Sequence, residues 1–258
     1  MMEGSEIPPV SASPHPRVSS GRGDTETRGR GEARVANSFS RAWAVTAKDA
    51  AQELRRRIAL ASVFFFAATA LTLVSFAIGP LGVPAEARAG VSSALLWIIL
   101  FFSAATGLPR AFVREEETGT ALALRKVTSA PVVLAGKTLF NLCLFLAIAA
   151  VVVPGFAILL DWTVASPAAL ALVLLLAGFG LATVSTFLSA LVARASQRNV
   201  LFVVISFPLV VPLLLSAIAA TVAASGGSLA GPALRVLVAY DGAAVCAAYL
   251  LIGAAWEE

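Results

Sequence analysis

The segment from Arg110 to Leu142, RAFVREEETGTALALRKVTSAPVVLAGKTLFNL, is a polar interruption between two long apolar stretches. Its first part is acidic, with Glu115, Glu116 and Glu117 in a row, and its later part carries the basic pair Arg125-Lys126. Charged side chains at this density are costly in hydrocarbon. The segment is therefore predicted to lie outside the membrane, as a loop or as a docking surface for another protein.

A short helix over residues 114–125 would suit a docking surface. Its acidic residues would stabilise the N-terminus and its basic residues the C-terminus, because both complement the helix dipole. Leu122 would add an apolar contact, and Gly119 would let a partner backbone approach closely. The alternative is a solvated loop whose charge only sets the orientation in the membrane, and composition alone leaves both interpretations open.

The composition of the whole chain is that of an integral membrane protein. Of its 258 residues, 59% are hydrophobic and 13% are charged, whereas a soluble domain carries about 25% charged residues. Six apolar runs are each long enough to cross ~30 Å of hydrocarbon as a helix. These runs are predicted at residues 58–79, 90–113, 137–160, 167–193, 200–224 and 235–256. The predicted fold is all-α, with six transmembrane helices in one domain over residues 58–256.

Two further regions precede the apolar runs. Residues 1–37 are rich in Pro, Gly, Ser and Arg, so they are predicted to form a disordered cytoplasmic tail. Residues 38–57 are predicted to form an amphipathic helix. The residues that share its apolar face are Phe39, Trp43, Ala47, Ala50 and Leu54. A helix of this kind beside a membrane span is expected to lie along the membrane interface.

The basic residues predict the orientation in the membrane. Outside the tail, twelve Lys and Arg residues lie on one side of the predicted spans, and only Arg88 and Arg235 lie on the other. Because basic residues concentrate on the cytoplasmic side, both termini and the segment 114–131 are predicted to be cytoplasmic. The net charge of +4 is thereby explained as a topology signal rather than as a nucleic-acid interface.

The motifs of self-contained catalysis are missing from the sequence. No phosphate-binding loop is present, so ATP hydrolysis by this chain is not expected. The single histidine, His15, lies in the tail, which excludes a catalytic triad and a histidine-based zinc site in the spans. The spans also contain no His or Met that would ligate heme iron. Cys143 and Cys246 are predicted to be free thiols packed as small apolar groups.

Three features of the apolar runs are candidates for structure or transport. Asn141 is a polar residue in the third span, and Asp241 is a carboxylate in the last. Because Asp241 is six residues from Arg235, it is expected near the outer edge, where a functional role and an interfacial contact are equally open. The fourth span is rich in Gly, Ala, Ser and Thr, which predicts close helix packing within or between subunits.

The polar segment resembles the cytoplasmic loop between the second and third membrane helices of ABC-2 type permeases. The matching residues are Glu117-Thr118-Gly119-Thr120, Leu122, Leu124, Pro131, Gly136 and Lys137. Within that superfamily the chain is similar to the heme exporter protein B family of cytochrome c maturation. The residues that carry this similarity are Arg110, Phe112, Arg114, the run from Gly136 to Leu142, Asp241 and the terminal Trp256-Glu257-Glu258. One departure is Arg125-Lys126-Val127-Thr128-Ser129, where the family usually has an apolar, Leu-rich segment.

The resemblance implies a non-catalytic permease subunit in a bacterial inner membrane. A separate ABC ATPase, expected in two copies, would dock on the cytoplasmic segment. The implied coupling residues are Arg114, Glu115, Glu116, Glu117, Gly119, Thr120 and Leu122, and the structural or transport candidates are Gly136, Lys137, Asn141 and Asp241. ATP would bind the ATPase, and other membrane subunits and a heme chaperone would handle heme. This chain would bind no cofactor or metal directly, and it would act as a homodimer or beside a second membrane partner.

Other functions fit the same residues. An ABC-2 type exporter of a drug, a lipid or a polysaccharide would have the same fold with a different cargo. A secondary transporter or channel would need no ATPase, but Asp241 is the single acidic residue within the apolar runs, and no internal repeat is visible. A membrane enzyme would need a catalytic set that the sequence lacks.

Overall fold

The structure, a computed structural model, describes residues 40–51, 57–81, 84–107, 129–192 and 198–257. Helices are the regular secondary structure in these ranges. The first, α1, covers residues 40–51. The others are α2 (Arg57–Leu81), α3 (Ala85–Gly107), α4 (Ala130–Leu160), α5 (Pro167–Val192), α6 (Arg198–Ser225) and α7 (Gly231–Glu257). The all-helical prediction is confirmed for the described part of the chain.

Five of these helices, α3 to α7, are long and apolar enough to cross a membrane. Their backbone groups are paired within each helix, which is what a hydrocarbon environment requires. Helix α2 has 25 residues, but its apolar part is the shorter range Ala61–Ala77. The chain is thus a multi-pass membrane protein. The first of the six predicted spans, at residues 58–79, corresponds to α2 and stays a prediction.

Three helices begin at least four residues earlier than predicted, in each case close to a proline. Helix α3 begins at Ala85, directly after Pro84. Helix α4 begins at Ala130 with Pro131 in its first turn, after Ser129 in an extended conformation. Helix α7 begins at Gly231, directly before Pro232. Proline is well tolerated in the first turn, where its missing N–H has no helical partner. Consequently Gly136 and Lys137 lie inside α4, rather than at its first turn as the pattern indicated.

Helix α5 is the centre of the helix bundle and contacts α4, α6 and α7. Its small residues allow this close packing, as the sequence predicted within a subunit. Gly178 lies against the ring of Phe145 on α4, where a Cβ atom would collide with the ring. The polar members of this face, Thr183, Ser185, Thr186 and Ser189, are all buried.

Helices α2 and α3 pack together and against α4. Trp97 on α3 is fully buried, and its indole Nε1–H donates a hydrogen bond of 2.9 Å to the Thr221 hydroxyl on α6. The same indole stacks on Phe145, with 6.2 Å between the ring centroids. A buried indole N–H needs such a partner, so these contacts fix α3 against both α4 and α6.

Large apolar side chains also cover much of the outer surface. Phe65, Phe76, Ile158 and Leu250 are among the most exposed, which suits contact with lipid tails rather than with water. Both cysteines are free, as predicted, but the prediction that they are packed inside was wrong. Cys143 and Cys246 lie on the exposed surface of their helices, where an apolar thiol is compatible with lipid.

A candidate coupling site between α1 and α4

The implied ATPase-coupling residues, from Arg114 to Leu122, lie outside the described residues, so their docking role stays a prediction. The structure does describe the chain from Ser129 onward. Ser129 is the N-cap of α4, and its carbonyl accepts hydrogen bonds from the N–H groups of Val132 and Val133. Ser129, near the end of the polar segment, is thus part of the first turn of α4.

Helix α1 packs directly on the backbone of α4 at Gly136. A Cβ atom at this position would lie 2.7 Å from the carbonyl oxygen of Ala42 and 2.8 Å from the Cβ atom of Val45. Both distances are far below van der Waals contact, and one partner is backbone that cannot rotate away. Glycine is thus the residue that allows the two helices to approach this closely.

A hydrogen bond fixes the same contact. The Thr46 hydroxyl donates to the Gly136 carbonyl oxygen at 2.8 Å. The hydroxyl also lies 3.1 Å from the carbonyl oxygen of Ala42, one turn earlier on its own helix. Thr46 is buried, so the hydroxyl would be costly without a partner. Its bond to α4 specifies how far α1 lies along that helix.

An ion pair completes the junction. The Lys137 Nζ atom lies 3.2 Å from Oδ2 of Asp49, and the side chains are 1% and 11% exposed respectively. The other carboxylate oxygen of Asp49 is 3.4 Å from Nζ of Lys48. An ammonium group buried to this degree must be paired, because desolvation alone would make it strongly unfavourable. Asp49 therefore holds Lys137, and with it α4, against α1.

The two faces of α1 have different environments. The face that packs on α4 carries Ala42, Val45, Thr46 and Asp49, spaced as one stripe of a helix. The described part of the predicted apolar face points away from the protein, since Trp43 is 58% exposed and Ala47 is also exposed. Phe39 and Leu54 of that face lie outside the described residues. An apolar stripe left uncovered by protein is what an interfacial helix presents to lipid. The interfacial position itself stays a prediction.

The ion pair also shows what the sequence analysis missed. Lys137 is singled out from the sequence, but Asp49 is assigned no role. The available signal was weak: Asp49 is one acidic residue that repeats the helical spacing of Ala42 and Val45. These positions form a second stripe, about a third of the way around the helix from Trp43, and that stripe is the one that contacts protein.

Deeper in the bundle, Asn141 links α4 to α5. Its Nδ2 atom donates a hydrogen bond of 2.8 Å to the Thr186 hydroxyl, and both residues are buried. The Thr186 hydroxyl donates in turn to the Ala182 carbonyl oxygen at 2.6 Å. Lys137, Asn141 and Phe145 are spaced four residues apart, so they share one face of α4. That face is attached to α1 at one end and to α5 along the next two turns.

Asp241 is the fourth predicted residue within the described ranges, and it lies far from this junction. It is 6% exposed and packs between Gly180 of α5 and Leu213 of α6. Ten residues separate it from the start of α7 at Gly231, which is about 15 Å along the helix. Helix α7 begins four residues earlier than the apolar pattern indicated, so Asp241 is further from the start of its helix than predicted. Its depth in the membrane stays a prediction.

The comparison with known protein families covers the same residues as the described helices. A protein-family model described as "CcmB protein" matches residues 40–257. The match begins at the first described residue of α1 and ends with the last residue of α7. A comparison with curated proteins gives no match.

Proposed function

Because the chain belongs to the CcmB family, whose members are membrane permease components of a heme-exporting ABC transporter, we propose that it is the permease subunit of such a transporter in cytochrome c maturation. The observation that carries this proposal is the family match over residues 40–257, which includes every described helix. We place the protein in a bacterial inner membrane with six spans, α2 being the first. Both termini would be cytoplasmic, as the basic residues predict.

In this proposal the motor is a separate ABC ATPase, present in two copies, that docks on the polar segment 114–131. Arg114, the acidic run from Glu115 to Glu117, Gly119, Thr120 and Leu122 would form the contact. The position of the segment supports this assignment, because it runs directly into the N-cap of α4 at Ser129. ATP-driven closure of the two ATPase copies would then displace the start of α4.

The junction at Gly136 and Lys137 would convert that displacement into movement of several helices. The Thr46 hydrogen bond and the Asp49–Lys137 ion pair join α4 to α1, so α1 would slide with α4 along the membrane surface. Asn141 and Phe145 join α4 to the central helix α5. Packed helices move as rigid bodies rather than deform, which makes α1, α4 and α5 the moving unit.

The work done by this movement would be heme export or the release of a heme-loaded chaperone. Heme itself would be handled by other membrane subunits, and ATP by the ATPase. The permease would bind neither a cofactor nor a metal directly. Two permease copies would complete the assembly, unless a second membrane partner takes the place of one of them.

The proposal is tested by removing the protein from its native cell and measuring covalently bound heme in c-type cytochromes on denaturing gels stained for heme. We expect holocytochrome c to be lost while the apocytochrome polypeptides and the b-type cytochromes remain. Reintroducing the wild-type protein should restore the stain. Normal holocytochrome c in the deleted strain, together with a defect in exporting a drug, lipid or polysaccharide, would overturn the proposed cargo.

A further inference from the structure

Asp241 is a carboxylic acid at mid-membrane depth that the coupling site does not use. It lies on α7, facing Gly180 of α5 and Leu213 of α6. Each of the three residues is about 15–20 Å from the nearer end of its own helix. The three helices therefore converge on Asp241 close to the middle of the ~30 Å hydrocarbon layer.

The surroundings of the carboxyl group are apolar and tightly packed. A Cβ atom on Gly180 would collide with Oδ1 of Asp241, and it would lie 3.0 Å from a methyl group of Leu213. Asp241 is 6% exposed, and within the described ranges neither of its oxygen atoms has a hydrogen-bond partner. An ionised carboxylate in such a place would be strongly unfavourable, since nothing there replaces the water it has lost.

The proton is the cation that this space accepts. A metal ion would need several oxygen ligands, whereas no cluster of acidic, His or Cys side chains that could hold one is found among the described residues. Among the described residues, the helices packed against Asp241 supply no counter-ion at this depth. Helix α5 has no titratable residue, and the basic residue of α6, Arg198, is about 20 Å away along its axis. On α4, Lys137 is paired with Asp49. On α7, Tyr240 is the adjacent titratable group, and Arg235 lies about 9 Å nearer the start of the helix, where it is exposed and donates to the Gly231 carbonyl oxygen at 3.4 Å.

Tyr240 shows that the same region of α7 is attached to a weakened part of α6. Its hydroxyl donates a hydrogen bond of 2.6 Å to the carbonyl oxygen of Leu209. Leu209 lies between Pro208 and Pro212, both inside α6. Proline lacks the N–H that would hold the preceding turn and loosens the helix there. Helix α7 is thus fixed beside a segment of α6 that bends more easily than a regular helix.

We propose that Asp241 is a proton-binding site within the membrane and that its protonation controls the packing of α7 against α5 and α6. With the proton bound, the neutral carboxyl group fits against Gly180 and the three helices stay closed. When the proton leaves, the carboxylate requires water, so the state with α7 displaced and water admitted becomes favoured. Low pH therefore stabilises the closed arrangement and high pH the open one. This inference does not depend on ATPase docking.

The test uses infrared spectroscopy of the purified full chain in lipid nanodiscs over a range of pH. The carbonyl stretch of a protonated carboxylic acid is distinct from the bands of a carboxylate. We expect an acid band at neutral pH that is absent from Asp241→Asn and that disappears from the wild type as the pH is raised. Identical absorption of the wild type and Asp241→Asn in the spectral region of protonated carboxylic acids would overturn the proposal.

Two glycine substitutions test whether helix packing controls the protonation of Asp241. Gly180→Ala places a methyl group against the carboxyl group, so it should displace α7 and admit water. The acid band should then disappear at a proton concentration at least about tenfold higher than in the wild type, equivalent to one pH unit. Gly242→Ala changes the residue next to Asp241, where nothing lies within 4 Å, and it should behave as the wild type. Identical titrations of Gly180→Ala and the wild type would contradict control by packing.

Should Gly180→Ala not insert stably, the wild type provides a second measurement. Transfer into deuterated buffer shifts the acid band when the carboxyl proton exchanges. The closed arrangement predicts exchange that is slow at low pH and accelerates as the pH rises. Complete exchange within the mixing time at every pH would overturn the proposal, because the carboxyl group would then be open to water throughout.

Discussion

In the described part of this membrane protein, two buried side chains are of an ionisable type, Lys137 and Asp241, and they differ in whether they have a partner. At the junction of α1 and α4, Lys137 is 1% exposed and is paired with Asp49 at 3.2 Å. Between α5, α6 and α7, Asp241 is 6% exposed and has no hydrogen-bond partner among the described residues. A paired charge is retained and joins two elements, whereas an unpaired one is tolerated only when it is neutral. The first place is suited to transmitting force, and the second to responding to protons.

This difference is tested most directly by neutralising Asp49, the partner of Lys137 at the junction. Asp49→Asn removes the carboxylate that Lys137 faces, and the ammonium group remains buried. We expect the free energy of unfolding to fall by about 3 kcal/mol, as for other buried pairs that lose one member. Thermal unfolding of the purified protein in detergent, followed by tryptophan fluorescence, measures the loss. Unfolding at the wild-type temperature would show that the ion pair does not hold the junction.

Two companion variants sharpen this result. Lys137→Met should cost less than Asp49→Asn, because Asp49 is 11% exposed and keeps Lys48 at 3.4 Å. The double variant Asp49→Leu with Lys137→Met should recover most of the loss, since an apolar pair of similar volume needs no desolvation. If both single variants lose the same free energy of unfolding, the cost of breaking the pair does not come from the burial of the lysine.

The next largest loss of stability is expected where α1 and α4 approach each other closely. Gly136→Ala places a methyl group 2.7 Å from the Ala42 carbonyl oxygen, so α1 must move or α4 must bend. Overpacking of this kind costs about 1–3 kcal/mol. Gly242→Ala is the matched control on an exposed helix face, where alanine should stabilise by up to about 1 kcal/mol. Similar thermal unfolding of the two variants would argue against tight packing of α1 on α4.

The smallest effect is expected inside the bundle, at the hydrogen bond between Asn141 and Thr186. In Asn141→Ala the Thr186 hydroxyl keeps its bond to the Ala182 carbonyl, so no polar group is left unpaired. Hydrogen bonds between membrane helices contribute about 0.6 kcal/mol on average, and we expect a loss of that size in the same unfolding assay. A loss above about 2 kcal/mol would assign Asn141 a larger role than linking α4 to α5.

The sequence predicted the helices well, because runs of about twenty apolar residues have few alternatives in a membrane. It also selected Gly136 and Lys137, although through a resemblance and not through their contacts. The contact with Asp49 was not predictable from spacing, since the two residues are 88 positions apart in the chain. The distance of Asp241 from the start of its helix was underestimated because Arg235 was taken as the end of the span. Structurally, Arg235 lies within α7 and is exposed, and such long side chains reach toward the interface from inside a helix.

The central claim is that a membrane body without its own motor is moved by a separate ATPase bound to the segment 114–131. Co-purification of a nucleotide-binding subunit with the tagged protein in mild detergent tests it most directly. Glu115→Arg with Glu116→Arg should strongly reduce the bound ATPase while membrane insertion stays intact. The control, Asp24→Arg with Glu26→Arg, makes the same charge change in the N-terminal tail and should retain it. Equal recovery of the ATPase with both variants would contradict the account.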